Sequence, residues 1–442
     1  MRCCESAGIR GHGVFDDAMT SISAAPADES KRVTVRRIDC LYAGLRPRYL
    51  VGPLDNLDDP RQLRNRLRVI ASGGPSNRVG LLPDPMSRSW QFDSAARSVA
   101  VSITEAATLD IRDPARAIAG LAIDPRNCAP LRIHLARAWL LIDFDHGLGG
   151  GRLMSELIAA MTSDAPGFSE PLPPTGCRRP GLRALAHTTR VTPGRLALAV
   201  CDLPSLSKQP VCGEPQPLYQ QPDLVYVGSD PEFLRRVRAR RDRDFPDVSV
   251  LALITSATLR ALTSVGIETH PSMGVIIDLS RHLPVGVGTL SNFLGFAFVS
   301  VASPFSAQAI NDQIEAYTIG CRSLVRYELG ALVRLGHPIR KSVARRSDDC
   351  RARLVVTDHG ESLGSRKIRW AGPEEGRIFV RYTPVSYSNQ ITLATNRIGD
   401  QLHLTASFCS TEFERESVRA ALLRVVNGTD GSDVDRKSAI AP

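Results

Sequence analysis

One stretch of this chain joins a titratable ring to backbone free enough to bring it against a substrate. Trp139 to Phe144 is mostly apolar, Asp145 and His146 follow, and glycines stand at 147, 149, 150 and 151. Imidazole titrates near neutrality, so His146 can take a proton from an attacking hydroxyl or amine and hand it on. The glycines let backbone approach whatever the ring acts on. Gly360-Glu-Ser362-Leu-Gly364 fits G-x-S-x-G after an apolar run at Leu354, with Asp400 and His403 downstream as acid and base. That is the pattern of a nucleophilic serine in an α/β-hydrolase. Arg235, Arg236, Arg238, Arg240, Arg241 and Arg243 form a dense cationic run. It reads as a solvated helix face, or as a docking patch for an anionic partner such as anionic lipid at a membrane surface.

Elements must hold these groups in place. Trp139–Phe144 reads as a buried strand and Arg152–Met161 as a helix, with Leu153, Leu157, Ile158 and Met161 at helical spacing. His146 therefore stands at a strand end, before a glycine turn into a helix. The same turn partly fits a nucleotide-binding fingerprint, but Arg152 follows the glycines, and no second strand ending in an acid comes about 20 residues later. The serine pattern has a weakness too: Gly364 is followed by Ser-Arg-Lys-Ile-Arg-Trp370, a poor helix.

Val33–Cys40 alternates like a strand. Asp59–Ile70 opens with Asp-Pro and places Leu63, Leu67 and Ile70 on one helical face. Helices are also expected at Pro231–Arg243, Val248–Gly266 and Glu412–Val426, and one long or broken helix at Ala307–Leu335. Strands are expected at Gly274–Leu279, Ile378–Tyr382 and Gln401–Phe408. Prolines crowd 166–180 and 202–231. The expected organisation is a flexible leader at 1–32, an N-terminal lobe at 33–190 carrying His146, an irregular crossover at 191–230, a C-terminal lobe at 231–426 and a flexible tail at 427–442.

Composition narrows the class. With 442 residues, 43% hydrophobic and 23% charged, the chain is globular and long enough for about two to three domains. Net charge is +9, yet aromatics are only 5%. That argues against nucleic acid, whose binders interleave aromatics with basic patches. The ten cysteines are scattered with no C-x-x-C and no zinc spacing, so a cytoplasmic protein with reduced thiols and no metal is expected.

Asp145-His146-Gly147-Leu148-Gly149-Gly150-Gly151 resembles the H-H-x-x-x-D-G motif shared by condensation domains of peptide synthetases, chloramphenicol acetyltransferase-like enzymes, wax ester synthases and polyketide-lipid acyltransferases. The second histidine and the last glycine match. Asp145 replaces the first histidine, and Gly150 replaces the aspartate. Phe245–Gly266 looks like the helix that opens the family's second lobe. Ile276–Pro284 followed by Ser291-Asn-Phe-Leu-Gly295 is similar to its V-D-L-R…G-N-F stretch, and Val385-Ser-Tyr-Ser-Asn389 to its S-N strand. The order and spacing of these segments span most of 33–426. In the family the motif aspartate pairs with the arginine of L-R; here Gly150 and Ser280 stand at those positions, with Arg281 adjacent. Losing both partners avoids a stranded buried charge.

The resemblance implies an α/β fold of two chloramphenicol-acetyltransferase-like lobes, each a mixed sheet backed by helices, with a channel between them. It implies transfer of an acyl group from a thioester to an alcohol or amine in lipid or secondary metabolism, with His146 as general base. The thioester would be acyl-CoA or the phosphopantetheine arm of an acyl or peptidyl carrier protein, a co-substrate rather than a permanently bound cofactor. Gly149–Gly151 backbone or Ser388 and Asn389 would stabilise the oxyanion, and Ser291, Asn292, Ser388 and Asn389 would line the channel. A complete site in one chain makes a monomer the expectation. The degenerate motif leaves a second reading open, a non-catalytic binding or scaffold protein.

Overall fold

Trp139–Phe144 is buried at every position, so it must lie inside a sheet covered on both faces. The computed structural model describes residues 31–55, 57, 60–103, 113–119, 129–162, 179–201, 222–333, 345–361 and 368–428. In chain order these give β1 (Lys31–Thr34), α1 (Arg37–Tyr42), β2 (Arg48–Gly52), α2 (Pro60–Ser72), β3 (Leu81–Leu82), β4 (Ser89–Phe92), β5 (Val99–Ile103), α3 (Pro114–Ala119), β6 (Leu131–Ala136), β7 (Trp139–Phe144) and α4 (Gly151–Thr162). Next come α5 (Pro180–Val191), α6 (Pro193–Cys201), β8 (Pro222–Gly228), α7 (Phe233–Asp244), α8 (Val250–Ser264), β9 (Ser272–Asp278) and β10 (Leu294–Ser300). The chain closes with α9 (Ala307–Thr318), α10 (Arg322–Val333), β11 (Arg353–Glu361), β12 (Ile378–Tyr382), β13 (Gln390–Ile398), β14 (Gln401–Cys409) and α11 (Arg415–Val426).

Two mixed sheets organise the molecule. One runs β12-β2-β7-β6-β5 and the other β10-β9-β11-β13-β14-β8; β1, β4 and β3 form a small third sheet. The first sheet packs against α2 and α4 through Leu63, Leu67, Leu153, Leu157 and Ile158. The second packs against α8 and α11 through Leu259, Leu262, Val418 and Leu422. This is the expected two-lobe α/β architecture, with one exchange. β12, far along the chain, pairs antiparallel with β2, Arg381 opposite Tyr49. The second half of the chain thus supplies an edge strand to the first sheet.

Local departures from expectation have local causes. Val33–Cys40 is a strand only to Thr34; the chain then turns into α1, which buries Asp39 and Cys40. Residues 191–230 are not irregular throughout. Pro193 and Pro222 stand first in α6 and β8, where a missing N–H costs no helix or ladder bond. β8 belongs to the second sheet, pairing with β14. The helix expected at 307–335, one long or broken, is the broken form: it divides into α9 and α10, and Cys321 between them takes φ 61°.

Candidate active site

β7 delivers the chain into a tight turn. Asp145 caps it, its Oδ1 accepting from Gly147 N at 2.8 Å and its Oδ2 from Gly44 N at 2.8 Å. Burial pushes this carboxyl up to about 6. His146 N donates to Leu45 O at 2.8 Å, which fixes the backbone on the other side. The imidazole is 6% exposed and stacks on Tyr42 with ring centroids 4.6 Å apart. Its Nδ1 lies 2.9 Å from Gly149 O. A carbonyl oxygen only accepts, so Nδ1 carries the proton and Nε2 keeps its lone pair. Burial first, and the Arg381 guanidinium second, hold this imidazole down at about 4, so it is neutral at pH 7.

Two glycines of the turn are required by close approach. A Cβ on Gly149 would stand 2.3 Å from Leu290 O, and one on Gly151 would stand 2.9 Å from Cε1 and Nδ1 of His359. Gly150 differs: its nearest neighbour would be Asn292 Oδ1 at 3.6 Å. That oxygen is buried without a hydrogen-bond donor.

A buried polar cluster holds the turn from behind. Arg78 donates to Leu148 O at 2.6 Å and Gly147 O at 2.8 Å, and pairs with Asp39 at 3.2 Å. Asn292 Nδ2 donates to His146 O at 2.7 Å and to Asp39 Oδ1 at 3.3 Å. These residues come from both halves of the chain. They brace the loop although Gly150 offers no carboxylate. Ser280 N bonds Asp278 Oδ1, and Arg281 Nε bonds Asp278 O.

A cavity of about 2130 Å³ opens between the sheets. His146, Gly150 and Gly151 face it from the first half, and Asn292, Phe296, His359 and Arg381 from the second. Thirteen arginines and one lysine line it against four carboxylates, so its field is positive. His359, near the end of β11, and Arg381, on β12, meet there: an Arg381 amine donates to His359 Nε2. Burial, with Arg381 and His146 nearby, holds the His359 imidazole well below the usual histidine range.

Other expected site residues fall differently. Ser291 lines the cavity and shares a hydrogen bond with Thr289 Oγ1 at 2.6 Å. Ser388 and Asn389 do not line it. Ser388 Oγ accepts from Ser347 N, and Asn389 Nδ2 donates to Asp349 O and Arg351 O, so both brace a loop. The arginine run lies on α7, outside the cavity. Arg235, Arg236, Arg238, Arg241 and Arg243 each pair with a carboxylate, which weakens the patch as an anion dock. Arg240 is half-buried on the same helix. Ser362 lies outside the described residues. Asp400 pairs with Arg238, whereas His403 Nδ1 bonds Tyr226 OH at 2.7 Å, so these two are not a dyad. His359 and Arg381 escaped the sequence reading, although Thr357-Asp-His359-Gly360 repeats the Asp-His-Gly of the His146 turn.

No protein-family profile matches the chain, and no curated protein does. Solved structures do match. The TRI3 trichothecene 15-O-acetyltransferase of Fusarium sporotrichioides aligns with TM-score 0.57 at 11% identity, over 88% of this chain and 91% of that one. F. sporotrichioides TRI101, solved with coenzyme A and T-2, aligns with TM-score 0.56 at 12% identity, over 86% and 96%. The condensation domain of the monacolin K polyketide synthase MokA aligns with TM-score 0.53 at 12% identity, over 88% and 91%. The chain shares the two-lobed fold of these acetyltransferase and condensation-domain structures.

Proposed function

We propose that this protein transfers an acyl group from a thioester to a hydroxyl or amine, with His146 as general base. The observation that carries the reading is the Nδ1 contact to Gly149 O, which leaves Nε2 basic inside the cavity. Nε2 takes the acceptor's proton as its oxygen or nitrogen attacks the thioester carbonyl. The tetrahedral intermediate expels the thiolate, which recovers the proton from the imidazolium. The first N–H groups of α4, which follow the His146 turn and have no acceptor earlier in their own helix, suit the developing oxyanion. The positive cavity suits the phosphates of coenzyme A, the ligand of TRI101 in its solved structure. A carrier-protein pantetheine would present the same thioester. Lipid or secondary metabolism is the setting this chemistry fits.

Thiol release from short- to long-chain acyl-CoA donors, with mixed alcohol and amine acceptors, tests the reading. His146→Ala should lower acceptor-dependent release by about 10²- to 10⁴-fold. Equal release by both proteins would remove His146 from the mechanism.

A further inference from the structure

Arg381 is 6% exposed and faces the cavity, and no carboxylate pairs with it among the described residues. Its guanidinium donates to His359 Nε2 and lies over the Tyr49 ring at 5.4 Å. Its Nε is buried with no acceptor. The charged and titratable groups around it are His359, His146, Tyr42 and Tyr49, none of them an anion at neutral pH. Nearby acids are committed elsewhere. Asp358 accepts from Thr395 Oγ1 and Gly360 N, and pairs with Arg397. Asp39 pairs with Arg78. A buried cation without an anion is costly, and an anionic ligand entering the cavity would offset that cost.

The second donor is beside it. A guanidinium only donates, so His359 Nε2 accepts and the imidazole proton sits on Nδ1. That Nδ1 lies next to Gly151, whose missing side chain leaves it room. A planar fork of guanidinium N–H groups with a neighbouring imidazole N–H offers more donors than one reaction oxyanion accepts. It matches the two oxygens of a carboxylate.

We propose that Arg381 and His359 bind a carboxylate carried by one of the two substrates, next to His146. The inference deepens the acyl-transfer reading and rests on it. The carboxylate belongs either to the acyl chain or to the acceptor, and paired ligands distinguish them. Calorimetric titration of the full chain would compare succinyl-CoA with butyryl-CoA, and lactate with lactamide in the presence of coenzyme A. One pair should separate by about 10- to 100-fold in favour of the carboxylate, the range of a charge-assisted contact. Arg381→Met should bring that ratio to about one, and Arg381→Lys should restore part of it. Ligand-free Arg381→Met should also melt higher than wild type, because an unpaired buried charge is gone.

Ratios near one for both pairs in the wild type would overturn the proposal, as would a ratio unchanged in Arg381→Met. A lower melting temperature in Arg381→Met would assign the arginine a structural role instead. Binding is read without turnover, so the two readings fail separately. Carboxylate preference without thiol release from either acyl-CoA or acyl-phosphopantetheine carrier donors overturns acyl transfer, and thiol release without preference overturns the anion site.

Discussion

A histidine held at about 4 by burial and by Arg381 is a weak base that is always ready. The acid limb of kcat/KM should therefore fall near pH 4 rather than near the ordinary histidine value of about 6.5. A limb between pH 6 and 7 in the rate profile would contradict this environment. Stability follows with a definite sign. His146 and His403 both sit at about 4 in the folded chain, so between pH 4 and about 6.5 the unfolded chain binds more protons. Unfolding free energy then drops as pH falls through that window. Asp145, raised to about 6, and Glu328, raised by burial, oppose this with the reverse sign, but burial also holds His134, His282 and His359 down, so five imidazoles outweigh two carboxyls. The urea midpoint should be lower at pH 5 than at pH 7. The glycines make a second prediction. Gly149→Ala and Gly151→Ala force a Cβ against Leu290 O and the His359 ring, and should cost about 2–3 kcal/mol or more. Gly150→Ser has space and can donate to the orphan Asn292 Oδ1, and should stabilise by about 0.5–1 kcal/mol in urea titration. His146 is legible from sequence because strand, imidazole and glycines are contiguous. The contact between His359 and Arg381 is not, because it arises only when β11 and β12 come together.

At the scale of elements, the turn after β7 depends on groups distant in sequence. Arg78 comes from the loop before β3, Asp39 from α1 and Asn292 from the loop before β10. Arg78→Met would leave the Gly147 and Leu148 carbonyls without their donor and Asp39 with Arg36 at 3.9 Å. Breaking a buried pair from one side should cost about 3–5 kcal/mol, whereas Arg78→Met with Asp39→Leu should cost less than the two single changes together. A double-mutant cycle by denaturant titration measures this, and simple additivity would argue against the pair. Elements with a continuous apolar face were readable: α2 presents Leu63, Leu67 and Ile70, and α8 starts at the Ser249 cap. α6 and β8 were hidden by prolines that mark their first residues rather than interrupt them. A heptapeptide that lost its aspartate still builds its turn, because the supporting contacts come from other elements.

At the scale of the whole molecule, β12 decides whether the two sheets behave as one. It pairs with β2 and places Val380 and Tyr382 in a cluster with Leu50, Leu141, Ile118 and Leu224, which draws on both sheets. Arg415 of α11 adds a polar tie, reaching Asp113 before α3 and Asp223 on β8. Periodicity shows that Ile378–Tyr382 is a strand but carries no record of its partner, so this tie appears only in three dimensions. It has a measurable consequence, because Trp90, Trp139 and Trp370 all pack in or against the first lobe. Tryptophan fluorescence therefore reports that lobe, while far-UV circular dichroism reports both. In the wild type the two denaturation midpoints should coincide, as cooperative unfolding requires. Val380 is fully buried, and Val380→Asp would place an unpaired carboxylate in the shared cluster. The fluorescence midpoint should then move below the dichroism midpoint, as the first sheet loses its edge while the second persists. Coincident midpoints in this variant would mean that the sheets are coupled by something other than β12, and separate midpoints in the wild type would mean that they are not coupled at all.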